Sequence, residues 1–187
     1  MQSTTNDDLT YVHQQMVNAI QQAIPEIHHV AAYNPLVDKK VKTPGVLLEV
    51  VGMELDTPIS GGRTAVKVEF AAHCILSVAT QQVELEVRNF AVKVMQVINK
   101  NRWGLGALAQ QPTALSAFPG SFKPDVKGFK TEEKGYESWV ISWEQVFHLG
   151  DIWQGVEFTP DEILIKGTHH IESPFTEFEP RITNDGL

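Results

Sequence analysis

Cysteine is nearly absent: Cys74 is the only one in 187 residues. That excludes an internal disulfide framework and a cysteine-rich zinc site, and it fits a reducing compartment. Positive charge is also scarce, since 15 Lys and Arg against 23 Asp and Glu leave a formal net charge of -8 and a pI near 5.3. Neutralising nucleic-acid phosphates needs clustered cations, so no sequence-specific nucleic-acid binding is expected. An acidic surface suits solubility or a basic protein partner instead. Residues 1–8 contain neither a basic region nor an apolar run, so no signal peptide or membrane anchor is expected and the chain should act where it is made.

Signatures of catalysis are missing as well. There is no Gly-x-Ser-x-Gly elbow, and Ser60-Gly61-Gly62 falls between strands rather than on a strand-to-helix turn. Trp103-Gly104-Leu-Gly106 lacks the third glycine of a dinucleotide fingerprint and follows a helical pattern where the fingerprint must follow a strand. The pairs His28-His29 and His169-His170 invite a metal reading. Neighbours on a strand point to opposite faces, however, so each pair offers at most one ligand to a one-sided site. The same divergence keeps His73 from activating Cys74, whose register with Val66, Val68 and Phe70 makes it a small buried apolar residue. Asp161, Glu162 and Glu172 match no calcium-loop spacing and read as a solvated acidic surface. No catalytic residue, metal ligand or cofactor site is assigned, which points to an assembly protein rather than an enzyme.

What the chain has is regular patterning, with 42% apolar residues, enough for a sizeable core in one domain. Asn6, Asp7 and Asp8 offer N-cap chemistry to a helix with apolar positions Leu9, Val12, Met16, Ala19, Ile20 and Ala23, stopping near Ile24 before Pro25. Residues 27–33 form a short strand candidate, residues 34–42 an exposed loop, and residues 45–55 a Val- and Leu-rich strand. Flexible residues 60–63 join the latter to a strand over 64–78, predicting a hairpin. In that strand Val66, Val68, Phe70, Ala72 and Cys74 share one face, opposite Lys67, Glu69 and His73. Helical spacing returns over 81–99, with the stripe Val83, Val87, Phe90, Ala91, Val94 and Ile98. A turn over 101–106, a short strand near 113–118 and a polar loop over 125–135 follow.

The long strand Trp139-Val-Ile-Ser-Trp143-Glu-Gln145-Val-Phe-His148-Leu149-Gly150 closes the regular part. Its odd positions Trp139, Ile141, Trp143 and Phe147 read as core, or alternatively as an interface where aromatic anchors carry binding energy. The order α-β-β-β-α-β-β predicts an α+β fold, an antiparallel or mixed sheet with two main helices packed on one face. Residues 1–150 make this domain. Residues 151–187, with eight acids against two bases and interrupting prolines 160, 174 and 180, make an acidic C-terminal extension. It reads as a segment folded back on its own domain or as an arm that adds a strand to a neighbouring chain. Interface candidates are Trp103, Trp153, Phe158, Ile163 and Ile165, the last two within Glu162-Ile-Leu-Ile-Lys166.

Several of these features resemble bacteriophage tail terminator, or tail completion, proteins, the small subunits that close the head-proximal end of a tail. The resemblance covers about residues 7–150 and is carried by the amphipathic N-terminal helix, Pro44-Gly-Val-Leu-Leu-Glu-Val50, Glu69-Phe-Ala-Ala-His-Cys-Ile-Leu-Ser-Val78, the helix after it and the closing Trp143-Glu-Gln145. It implies an α+β fold, a homohexameric ring, no cofactor, and contacts with tail tube or sheath subunits on one side and a neck or head-completion protein on the other. It also implies a place in the virion tail or neck, and in the host cytoplasm during assembly, away from membranes. A small metal-dependent hydrolase using the histidine pairs and the C-terminal acids, or a ligand-binding α+β module using the aromatic strand as its pocket, are the alternatives.

Overall fold

The computed structural model describes residues 8–34, 41–57, 61–121 and 135–151. The chain divides between Trp153 and Gln154 into two units, and all the described residues belong to the first. The expectations for the C-terminal extension therefore lie outside the described residues.

The N-terminal helix α1, Leu9–Ala23, is capped by Asp8, whose carboxylate accepts the Tyr11 backbone N–H at 2.9 Å. Its last turn ends where the Ile24 N–H still reaches the Ile20 carbonyl, one residue before Pro25. Val12, Met16, Val17 and Ile20 are buried. Val17 thus widens the expected stripe, while Ala23 is exposed at the end of the helix. The second helix α2, Val83–Ile98, buries the six residues of its predicted stripe.

The strands are β1 His29–Ala32, β2 Gly45–Leu55, β3 Thr64–Ser77, β4 Thr113–Pro119 and β5 Tyr136–Leu149. They make one five-stranded sheet in the order β1-β2-β3-β5-β4, with β1 parallel to β2 and every other pair antiparallel. The fold is α+β with a mixed sheet, and the elements follow the predicted order with a 3-10 turn, Gly106–Leu108, added before β4. The hairpin of β2 and β3 is present, with Val51 bulged between the pairs Val50–Phe70 and Gly52–Glu69. The central β3–β5 ladder runs unbroken from Thr64–Leu149 to Ser77–Tyr136. Among the described residues no helix is long and apolar enough to cross a membrane.

Both helices contribute to one core with a single face of the sheet. It joins Val12, Met16 and Ile20 of α1 and the α2 stripe to Val46 and Leu48 of β2, the even positions 68–76 of β3, and Ile141, Trp143 and Phe147 of β5. Trp143 stacks on Phe70 at 5.1 Å and Phe147 meets the same ring edge-on at 5.9 Å. Such pairs add about 1 kcal/mol each beyond area burial. Trp143 and Phe147 are therefore core residues, 1% and 0% exposed.

A second bulge lies in β4, where Thr113 faces Glu144 but Ser116 faces Ser142. Ala114 there has a φ of 52°, the left-handed region in which a Cβ costs about 1–2 kcal/mol. Ala114→Gly is expected to stabilise the fold by about 0.5 kcal/mol after the added freedom of the unfolded chain is deducted. The measurement is the urea midpoint at constant slope; a lower midpoint contradicts strain at this position.

Candidate functional site

Strand alternation sorts the polar side chains as it must. His73 projects to the face opposite the helices, its Nε2 2.7 Å from the Glu49 carboxylate and its ring stacked on Tyr33 at 4.7 Å. Cys74, one residue on, is 0% exposed in the core, where burial pushes the thiol pKa far above its ordinary value. On the His73 face, Lys67 pairs with Glu54 and lies 3.7 Å from Glu144. The His28 Nδ1–H donates to the Thr43 carbonyl at 2.8 Å, so that ring already serves the connection into β2. His169 and His170 lie outside the described residues. Among the described residues, no group of three or more His, Cys, Asp or Glu is placed to hold a metal ion.

The most elaborate polar arrangement is buried in the core beneath the segment that follows α2. That helix ends at Ile98 with Asn99 as its C-cap, and Lys100 turns the chain with a φ of 61°. Trp103, itself at a φ of 55°, then folds its indole inward. The indole N–H donates to the Gln145 side-chain oxygen at 2.7 Å. The Gln145 amide nitrogen in turn donates to the carbonyls of Asn101 at 3.0 Å and Gln110 at 2.7 Å. The Asn101 side chain accepts the Trp103 backbone N–H at 2.7 Å and donates to the Val97 carbonyl. One glutamine, 1% exposed on the apolar face of β5, thereby pins residues 101–110 to the sheet.

This corrects the reading of Trp103 as an interface candidate. Its side chain is 3% exposed and bonded within its own core, so it has no face to offer another subunit. The bland Trp-Gly-Leu-Gly spacing hid this, because the contact partner is 42 residues away. The other candidates, Trp153, Phe158, Ile163 and Ile165, lie outside the described residues. Gln145 was detectable in principle, as a polar residue at an odd position in an otherwise apolar strand face.

The exposed apolar surface lies elsewhere. β1 covers the outer side of β2 only from Gly45 to Leu48. Beyond that point, among the described residues, nothing pairs with the outer edge of β2, and Val50, Val51, Met53 and Leu55 are 44%, 53%, 62% and 78% exposed. After the Val51 bulge, Met53 sits opposite Val68 and Leu55 opposite Val66, so both lie on the helix side of the sheet. At the far edge, β4 pairs only with β5 among the described residues, and Phe118 is 46% exposed. The surplus of apolar residues in Gly45-Val-Leu-Leu-Glu-Val-Val-Gly-Met-Glu-Leu55 was the available sequence signal, since a strand with one covered half needs fewer.

No protein-family model matches this sequence, and no curated protein is similar to it.

Replacing Gln145 by Leu leaves the Trp103 N–H and two carbonyls without their partner, each a loss of about 1–3 kcal/mol if water cannot enter. A net destabilisation on the order of 3 kcal/mol is expected, seen as a melting temperature lower by roughly 10 °C. The Trp103→Phe/Gln145→Leu double variant should lose less than the sum of the single losses. For Cys74, a thiol reagent should react only as fast as the protein unfolds. Above pH 9.0, the ordinary thiol value, the unfolded chain releases a proton that the folded chain retains. Stability therefore falls as pH rises through that range, and Cys74→Ala should show a shallower fall in pH-dependent denaturant titrations.

Proposed function

We propose that this chain is a structural subunit of the phage tail terminator kind, which caps the head-proximal end of a tail, stops its polymerisation and presents a surface for head or neck attachment. The observation that carries this reading is the uncovered apolar end of β2, Val50, Val51, Met53 and Leu55, on an otherwise well-packed α+β unit. Contiguous exposed apolar side chains mark contact with another protein. The outer edge of β2 beside them, unpaired among the described residues, adds a main-chain template for that contact.

Tail growth repeats one head-to-tail contact, so it stops when the terminal ring is occupied by something that does not present the same surface again. A homohexameric cap meets this condition. Each subunit can bind tube or sheath modestly, because six simultaneous contacts raise the overall affinity by orders of magnitude. The opposite face of the ring is then free for a neck or head-completion protein. The work is done by shape and valency in the virion tail, and no bond is made or broken.

Deletion of the gene from the particle-producing genome is expected to give abnormally long or headless tails in electron micrographs, restored by the full chain supplied in trans. Normal tails and full infectivity after deletion, together with substrate turnover by the purified protein, would remove this reading in favour of an enzyme.

A further inference from the structure

We propose that, in the ring inferred above, β4 of one subunit pairs with the outer edge of residues 49–55 of β2 in the next, so that the sheets continue from subunit to subunit. The proposal rests on the ring reading and adds the identity of its seam. The occupant of the open β2 edge is a second copy of this chain.

Three features of the sheet select this pairing. The first is length. The stretch of β2 whose outer side no described residue covers and the whole of β4 are both seven residues long, about 23 Å of strand. The second is chemistry. Thr113-Ala-Leu-Ser-Ala-Phe-Pro119 has no charged residue, although exposed edge strands ordinarily carry charge against unwanted pairing. On β2 the two acids are already engaged within the chain and on the face away from the helices, Glu49 with His73 and Glu54 with Lys67. The edge and its helix-side strip, Val50, Met53 and Leu55, are left apolar. Leu115 and Ala117 of β4 pack on the helix-side core, so continuation of the sheet sets like faces together.

The third feature is direction. β2 and β5 both run antiparallel to β3, and β4 runs antiparallel to β5, so β4 is antiparallel to β2 within one subunit. A rotation that preserves the strand sense and the helix side therefore brings β4 against the next β2 as an antiparallel ladder. The two edges belong to different strands at opposite sides of the sheet, so the contact is heterologous and generates a closed ring or an open filament, never a two-fold dimer. Each edge also contains a bulge, at Val51 and at Ala114, which limits pairing to a partner of matching twist. A seam of this length is small for an isolated dimer, and ring closure supplies the missing avidity.

The test uses the full chain, free and after addition to purified tails that lack it. The double variant Val51→Cys/Ser116→Cys is treated with a thiol cross-linker spanning about 8 Å, enough for opposite and diagonal positions of one ladder. The native Cys74 is buried and does not compete. A ladder of covalent multimers up to the ring is expected from the double variant and none from either single variant. Leu55→Lys, at a position 78% exposed, should reduce the mass from ring to monomer while the circular dichroism spectrum of the folded subunit at about 25 °C is unchanged. A ring that gives no ladder, a ring that survives Leu55→Lys, or a covalent dimer from Val51→Cys alone overturns the edge pairing while leaving the ring reading in place. A chain that forms no multimer free or on tails overturns both.

Discussion

One buried side-chain amide holds the far end of this domain together. Gln145 sits on the apolar face of β5 between Trp143 and Phe147, where an unpaired amide would be costly. It is tolerated because the indole of Trp103 and the carbonyls of Asn101 and Gln110 meet its hydrogen-bonding groups. The dependence is mutual, since residues 101–110 have little regular structure of their own and their polar groups need partners inside the fold. From Gln110, whose N–H donates to the Val146 carbonyl, the chain continues directly into β4. The same glutamine thus sets where the edge strand begins.

That anchoring connects core to surface. A β4 placed loosely on β5 would offer a poorly defined edge, whereas one fixed by residues 109 and 110 presents a defined main-chain template. At the other side of the sheet, β1 is only four residues long against the eleven of β2. The hairpin therefore extends past its cover and leaves Val51, Met53 and Leu55 in solvent. In an isolated monomer this exposure has no compensating benefit. In the proposed ring of identical subunits both edges would become interior surface.

Three other buried groups lack such a partner among the described residues. They are the Trp143 indole N–H, the Arg63 Nε and the His148 Nδ1, each enclosed without a hydrogen bond from the described residues. For Trp143 the stacking on Phe70 and complete burial of the ring offset the loss of one hydrogen bond. The Arg88 guanidinium lies 5.9 Å from the centre of the Trp139 ring, so the rim of the same aromatic layer has a cation over it.

Element type, order and facing were legible in the sequence because each depends on local periodicity. The α2 stripe, the alternation along β3 and the divergence of His73 from Cys74 follow from 3.6- and 2-residue repeats that a single segment displays by itself. Tertiary structure alone decided that β1 runs parallel to β2, that Trp103 turns inward to Gln145, and that the last seven residues of β2 extend past β1 while still paired with β3. These depend on which distant segments meet and on the unequal lengths of paired strands. An apolar residue patterns identically in a sequence whether the assembled chain covers it or leaves it bare.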